Sequence, residues 1–174
     1  MKKAEVFEAR KKALEMYAKA AIVLTEQEKA NIEIADFGLG KFYDTGLSIV
    51  TYINTELCCA KEMVLHEGQK CPDHIHFAVP EIGYPGKEET FRCRYGIVDL
   101  YVAGNGHPDV LPDEASYDHI VLNPGEQYTL YPGTWHWFTA REGGAVISEF
   151  STRSYDEYDI FRDKNIVRIP EVEE

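Results

Sequence analysis

The apolar positions near the start of the chain recur at helical intervals, with basic residues interleaved between them. The positions that share this spacing are Phe7, Leu14, Tyr17 and Ala21. The pattern predicts an amphipathic helix with one face packed against the rest of the protein. Thr25 and Glu28 have the spacing of a capping box and predict a second, short helix after them.

After Gly38 and Gly40 the apolar pattern changes to short segments separated by Gly and Pro turns. The predicted strands are 47–53, 58–65, 74–77, 89–95, 97–102, 119–122, 127–131, 135–140 and 145–151. That many short strands predict an all-β, jelly-roll barrel with an N-terminal helical extension. We therefore expect one domain over 1–174, with the extension at 1–40, the barrel at 41–155 and a packing tail at 156–174.

The predicted tail is rich in acidic residues but carries apolar side chains as well. These apolar residues are Ile160, Phe161, Ile166, Val167 and Ile169. We expect them to pack on the barrel or on a partner subunit. The segment 104–116 is polar and contains proline, so it is predicted to be a loop.

Composition is consistent with one compact enzyme-sized domain. With 174 residues, 44% of them apolar, the chain can bury one substantial core. Its 18 Lys and Arg against 30 Asp and Glu make it acidic, which disfavours nucleic acid or an anionic membrane as a partner. No apolar run approaches a membrane span and no leader pattern is seen, so a cytoplasmic location is expected. The four cysteines form no C-x-x-C pair and are predicted to be reduced.

Two histidines in the segment GQKCPDHIH are placed to bind a metal together. Side chains of a strand alternate between its faces, so His74 and His76 point to one side and Ile75 to the other. A metal that activates a substrate needs further ligands from neighbouring strands and an open position. The other histidines, His66, His107 and His119, lack such a context and are expected to be structural or surface residues.

The spacing of these residues resembles the two motifs of the cupin superfamily. Gly68, His74, His76, Glu89 and Gly96 satisfy the intervals of the first motif, and Gly125, Gly133 and His136 those of the second. The resemblance implies Glu89 and His136 as the remaining metal ligands. Glu81 competes with Glu89 because it lies at the usual interval after His76, but Gly83 and Pro85 make its segment poor strand material. The inserted loop 77–88 is expected at the barrel mouth.

Longer segments resemble the D-lyxose isomerase family of sugar isomerases. They are IADFGLGKFYDTGL, CAKEMVLHEGQKCPDHIH, GKEETFRCRYGIVDLYV, GEQYTLYPGTWHWF and SEFSTRSYDEYDIF. This resemblance implies interconversion of D-lyxose with D-xylulose and of D-mannose with D-fructose, manganese as the metal, and a homodimer. A site of three histidines and one glutamate accepts several divalent metals, so the ligands alone do not select among them.

Transfer of hydrogen between C1 and C2 of a sugar needs a group that moves the C2 proton. By its position in the SEFSTRS segment, Glu149 matches the acidic residue of the family and is predicted to be this base. Lys87, two residues before Glu89, matches a family lysine and is predicted to bind a substrate oxygen and stabilise enediolate charge. A metal-mediated hydride shift stays open as the alternative.

Aromatic residues beside the proposed ligands are candidates for the apolar face of a sugar pocket. By alternation, Phe91 and Tyr95 share the strand face of Glu89, and Trp137 follows the ligand His136. We expect these three to bind substrate.

Three other functions are compatible with such a barrel. A cupin phosphoglucose isomerase would need a cluster of cations for phosphate, and none is apparent near the motifs. A non-haem iron dioxygenase could use the same ligands. A non-catalytic sugar-binding cupin would leave the predicted base Glu149 without a purpose.

Overall fold

The computed structural model describes residues 1–104 and 106–169, and in this part of the chain two helices precede eleven strands. The helices are α1 (Lys3–Lys19) and α2 (Glu26–Ala30). The strands are β1 (Glu33–Ala35), β2 (Leu47–Asn54), β3 (Cys59–Leu65), β4 (Lys70–Ile75), β5 (Glu89–Tyr95), β6 (Val98–Ala103), β7 (Asp118–Leu122), β8 (Gln127–Leu130), β9 (Trp135–Ala140), β10 (Ala145–Ser151) and β11 (Ile160–Phe161).

Two antiparallel sheets enclose the main core. One has the order β1-β2-β3-β10-β5-β8 and the other β11-β4-β9-β6-β7. Apolar side chains from the facing surfaces of both sheets form one cluster, which includes Leu65, Leu100 and Ile147. The predicted all-β barrel with an N-terminal helical extension is confirmed. Alternation of inward and outward residues along each strand therefore decides which side chains reach the interior.

The strands β5, β9 and β10 have the predicted bounds, and most others differ by one residue at an end. The strand predicted at 74–77 corresponds to β4, which runs from Lys70 to Ile75 because Lys70 already pairs with Thr139 of β9. Two very short strands, β1 and β11, were not predicted. Each lies at an edge of its sheet, where pairing with one neighbour is enough to form it.

Helix α1 packs on the outer surface of the first sheet. Its buried residues are Ala9, Ala13, Met16 and Tyr17. The Tyr17 hydroxyl donates a hydrogen bond of 2.8 Å to the backbone oxygen of Glu62 in β3. The predicted apolar stripe was wrong at Phe7, whose side chain is 67% exposed, and at Ala21, which is exposed and lies beyond the end of the helix. The predicted second helix is present, and the hydroxyl of Thr25 accepts from the backbone N–H of Glu28.

Residues 155–169, here called the C-terminal strap, cross from one sheet to the other. Phe161 in β11 is buried in the main core, and β11 pairs with β4. The backbone N–H of Val167 donates to the oxygen of Phe37 at 2.9 Å. Of the apolar residues expected to pack, Phe161 is buried and Ile160 and Ile166 are partly buried, but Val167 and Ile169 are exposed. Residues 170–174 lie outside the described part. None of the described helices is long and apolar enough to span a membrane.

Candidate active site

Three buried histidines meet on the inner surface of the second sheet. His74 of β4 lies opposite His136 of β9 in the strand register, and His76 follows the end of β4. One ring nitrogen from each lies within 4.8 Å of the others. The structure therefore brings together all three histidines that the sequence predicted as ligands, and such a cluster could hold a metal ion.

The Nδ1 atom of each histidine already has an acceptor. His74 Nδ1 lies 2.8 Å from the Pro72 oxygen, and His136 Nδ1 lies 3.0 Å from the Thr134 oxygen. His76 Nδ1 lies 2.5 Å from a carboxylate oxygen of Asp159 in the strap. Since each acceptor holds a proton on Nδ1, Nε2 is the ring nitrogen that faces the other two histidines and is available to a metal.

Glu89, the first residue of β5, completes the cluster. Its Oε1 lies 3.3 Å from His76 Nε2 and 3.1 Å from His136 Nε2. These two Nε2 atoms and Glu89 Oε1 are buried without a hydrogen-bond partner among the described residues, whereas Glu89 Oε2 forms an ion pair with Lys87. Buried polar atoms are rarely left unpaired, so this donor set fits a divalent metal ion. Glu81, the competing candidate, lies exposed in a 3-10 turn and does not approach the cluster.

Lys87 and Glu149 lie beside the four donors, and both side chains are buried. Lys87 Nζ is 2.8 Å from Glu89 Oε2 and 3.2 Å from Glu149 Oε1. Burial by itself lowers the pKa of Lys87, but the carboxylates of Glu149 and Glu89 raise it well above its ordinary value. Lys87 therefore stays charged and holds both acidic groups in place.

The structure adds polar groups that sequence reasoning missed. Lys61 lies directly opposite Glu149 in the register of β3 and β10, and it is buried. Its Nζ is 2.9 Å from Asp156 Oδ1, and Asp156 Oδ2 is 2.7 Å from Arg168 Nη2. One signal pointed to Lys61, because alternation puts it on the same strand face as Cys59, Met63 and Leu65. The strap residues have no comparable signal in the sequence.

A cavity joins these polar groups to an apolar wall. Its polar side includes Lys61, Lys87, Glu149, Asp156 and Asp159. Its apolar side is formed by Phe37, Leu47, Ile49, Met63, Phe91, Phe138 and Phe161. The predicted pocket residue Phe91 is therefore in this cavity.

Two other predicted substrate-binding residues lie elsewhere. Tyr95 packs against the apolar residues between α1 and the first sheet, on the opposite side of that sheet from the histidines. The reason is a bulge in β5, where Arg94 is one extra residue opposite β10. A bulge of this kind reverses the alternation of the residues beyond it. Trp137 points away from the interior, since its neighbours His136 and Phe138 point inward. It stacks on Tyr101 with ring centroids 3.9 Å apart. The expectation that Tyr95 and Trp137 face the ligands is therefore corrected.

The inserted loop 77–88 connects His76 to Glu89 and carries Lys87 near its end. Its Tyr84 is buried and packs edge-on against Tyr155 of the strap, with ring centroids 5.0 Å apart. Of the remaining histidines, His119 is exposed and lies 2.6 Å from Asp99, and His107 is exposed as well. Neither belongs to the cluster, as the sequence suggested.

The fold and the buried cluster define a cupin-like barrel with a histidine- and carboxylate-lined interior site. Solved structures agree on the fold. L-ribose isomerase of Cellulomonas parahominis aligns with a TM-score of 0.74 at 15% identity, covering 95% of this chain and 94% of that one. L-ribose isomerase of Acinetobacter sp. DL28, in complex with L-ribose, aligns with a TM-score of 0.75 over the same shares, also at 15% identity.

Sequence relatives identify the family. The D-lyxose isomerase family model matches residues 102–174. A D-lyxose/D-mannose isomerase of Thermosediminibacter oceani is 52% identical, covering 100% of this chain and 99% of the relative. D-lyxose ketol-isomerases of a Thermofilum species and of Cohnella laeviribosi are 52% and 50% identical over at least 96% of each chain. The chain belongs to the D-lyxose isomerase family of enzymes.

Proposed function

We propose that this protein is a metal-dependent aldose–ketose isomerase that converts D-lyxose to D-xylulose and D-mannose to D-fructose. The observation that carries the proposal is the set of four buried donors, three of them histidines, directly beside Glu149 and Lys87. The named activities of the relatives at 50–52% identity support the substrates.

His74, His76, Glu89 and His136 would hold the metal. A divalent ion at this position supplies Lewis-acid polarisation of the sugar carbonyl. The resemblance to the family favours Mn²⁺, although nitrogen and oxygen donors of this kind also bind neighbouring metals in the divalent series. The acceptors at the three Nδ1 atoms keep the imidazoles in the orientation that a ligand requires.

Glu149 is proposed as the base that moves a proton between C2 and C1 of the sugar. Its Oε1 accepts hydrogen bonds from Lys87 Nζ at 3.2 Å and from Ser151 Oγ at 3.0 Å. Among the described residues no group donates to Oε2, which is therefore the oxygen available to the substrate proton. Because Lys87 bridges Glu149 and Glu89, its charge is placed to stabilise the negative charge of an enediol oxygen.

The charges around the cavity suit this role. The charged side chains that line it are three cations, Lys61, Lys87 and Arg168, and four carboxylates, Glu89, Glu149, Asp156 and Asp159, which leaves one net negative charge when the histidines are neutral. A divalent cation would make the site positive by one unit. Once Glu149 has taken the proton of the sugar, the lining together with such a cation would be positive by two units, which would stabilise the single negative charge of the enediolate.

The same charges speak against a phosphorylated substrate. Each of the three cavity cations already pairs with a carboxylate, Lys87 with Glu89, and Lys61 and Arg168 with Asp156. In the described residues of the cavity no cation is left to neutralise a phosphate group. A free sugar is therefore the better substrate.

The test is ketose formation from D-lyxose and D-mannose by metal-stripped protein, before and after addition of Mn²⁺, with glucose 6-phosphate run in parallel. We expect turnover of both free sugars to return with the metal and glucose 6-phosphate to stay unconverted. Conversion of glucose 6-phosphate alone would assign the phosphoglucose isomerase function instead. Oxygen uptake with Fe²⁺ would identify a dioxygenase, and sugar binding without turnover a sugar-binding protein.

The resemblance also favours a homodimer. Light scattering coupled to size-exclusion chromatography tests it directly, with the mass of a single chain as the contrary result.

A further inference from the structure

Seven side chains of alternating charge extend from the protein surface to the proposed metal ligands. In order they are Glu33, Arg168, Asp156, Lys61, Glu149, Lys87 and Glu89. Ion pairs join all neighbours in this row except Lys61 and Glu149, which lie opposite each other in the register of β3 and β10. Glu89, Lys87 and Glu149 have roles in the proposed reaction. Lys61 and Asp156 do not, although both line the cavity.

Lys61 is a buried ammonium group, and burying such a charge has a large desolvation penalty. Its side chain is only 6% exposed, and burial lowers its pKa, but Glu149 and Asp156 raise it overall, so the group stays charged. Asp156 is fixed from three sides, since Ser154 Oγ, Lys61 Nζ and Arg168 Nη2 all donate to it. Although burial alone raises the pKa of Asp156, Lys61 and Arg168 hold it well below its usual range. The result is a rigid pair of one donor and one acceptor on the cavity wall.

The position of this pair in the first sheet relates it to the sugar. Strand β10, which carries Glu149, lies between β5, which carries Glu89, and β3, which carries Lys61. Neighbouring strands are about 4.8 Å apart. Two further carbons of an open sugar chain, with a hydroxyl and the length of its hydrogen bond added, can bridge that distance. A sugar with C1 and C2 between the metal ligands and Glu149, and its chain extended across β10, brings its C4 hydroxyl to Lys61.

We propose that Lys61 and Asp156 bind the C4 hydroxyl of the sugar, with Lys61 donating and Asp156 accepting, and thereby set the selectivity of the enzyme at C4. This inference rests on the proposed isomerase function. D-Lyxose and D-mannose have the same configuration at C2, C3 and C4 and differ only from C5 onward. In a pocket that accepts both sugars, C4 is therefore the last carbon whose configuration the protein can select. A fixed donor and acceptor recognise the direction of a hydroxyl more strictly than an apolar wall does.

The experiment combines a protein change with a substrate change. Wild type and Lys61→Met are assayed with Mn²⁺ on D-lyxose and on 4-deoxy-D-lyxose. The comparison uses kcat/KM or, where turnover of the deoxy sugar is too slow, its inhibition constant against D-lyxose. We expect Lys61→Met to lose about 10- to 100-fold on D-lyxose, the value of a charge-assisted hydrogen bond. On the deoxy sugar we expect a change of less than about threefold, because the bonded hydroxyl is already absent.

Equal losses on both sugars would overturn the inference while leaving the isomerase function standing. A wild type inert on D-lyxose and D-mannose would instead remove the proposed function, and this inference with it. If Lys61→Met does not fold, because Asp156 is then buried beside only Arg168, the double variant Lys61→Met/Asp156→Asn removes both charges and takes its place in the same comparison.

A matched control separates recognition of the hydroxyl from general loosening of the strap. Arg162 also ties the strap to the barrel, with Nε 2.6 Å from Asp73 Oδ2, but on the outside of the second sheet. We expect Arg162→Met to affect D-lyxose and its 4-deoxy analogue by the same factor. A selective loss on D-lyxose in this variant as well would assign the effect to strap movement and overturn the role of Lys61.

Discussion

Replacement of Asp159 by Asn should change how metal binding depends on pH. Asp159 accepts from His76 Nδ1 at 2.5 Å, and its carboxylate stabilises two different states of the ring. One is the protonated imidazolium of the metal-free protein, and the other is the neutral ring that donates Nε2 to a metal. Asn keeps the shape and an acceptor oxygen but removes the charge.

The structure gives the size of both effects. Burial lowers the pKa of His76, but Asp159 and Glu89 together raise it to about 9 in the metal-free protein. A metal must displace that proton, so at pH 7, about two units below, proton competition weakens binding roughly 100-fold. Affinity should therefore rise about tenfold per pH unit and level off near pH 9. In the Asn variant the pKa of His76 falls towards its ordinary value of about 6.5, so the pH at which metal affinity stops rising falls as well.

At a pH above the pKa of His76 in both proteins, the difference in metal affinity comes only from the loss of the Asp159 carboxylate that supports the His76 ring. Removing a carboxylate behind a metal-bound histidine typically costs about 10- to 100-fold in metal affinity. At pH 9.5 the variant should show this full loss. At pH 7 the relief from proton competition, roughly 75-fold, balances or exceeds this loss, so the variant should bind from about as tightly as wild type to about eightfold more tightly.

The assay is a Mn²⁺ dissociation constant from competition with a fluorescent chelator, measured without oxygen between pH 6 and 9.5. The control is Asp163→Asn, an exposed aspartate of the same strap whose carboxylate, in the part of the chain that the structure describes, bonds Asn165 alone. It should follow the wild-type curve. A wild-type affinity that does not vary over this range, or a transition that Asp159→Asn leaves in place, would refute the coupling of His76 to Asp159.

Three further results are expected. Glu149→Gln should lower the rate of ketose formation by at least about 100-fold with Mn²⁺ affinity unchanged, and near-normal turnover would remove Glu149 from the reaction. Glu89→Gln should weaken Mn²⁺ binding in the chelator assay while Glu81→Gln does not, and equal effects would contradict the ligand assignment. Gly96→Ala should destabilise by about 2–4 kcal/mol in urea unfolding, since its Cβ would lie 2.0 Å from the Gly144 oxygen at φ +75°. Gly125→Ala, with φ +91° but open space around it, should cost only about 1–2 kcal/mol, and equal midpoints would refute the clash.

The sequence predicted the parts of the site that local rules determine. His74 lies in β4 and His76 follows two residues later, just past the end of that strand. Glu89 and His136 were implied by the resemblance to the cupin motifs, and they are the first residue of β5 and the second of β9. For such residues, alternation settles which face they occupy before any long-range contact is known. Tyr95 shows where the rule fails, because one extra residue in β5 reversed the alternation and nothing in the sequence marks the bulge.

The strap residues could not be predicted in the same way. Asp159 meets His76 from 83 positions away, and Arg168 reaches Glu33 from 135 positions away. No periodic pattern connects residues so distant, and β11 has only two residues to reveal a strand. Their placement depends on the packing of Phe161 and the pairing with β4, which are properties of the finished barrel.

The strand order has a consequence for how the protein folds. In both sheets a strand from the second half of the chain pairs with one from the first, β10 with β3 and β9 with β4. Such pairings close long loops before any contact compensates for the lost chain entropy, so folding should be slow, in the range of milliseconds to seconds. The four proposed metal donors come from β4, β5 and β9 and the loop after β4, so they meet only once these pairings exist. Uptake of the metal should therefore coincide with the last step of folding and should not initiate it.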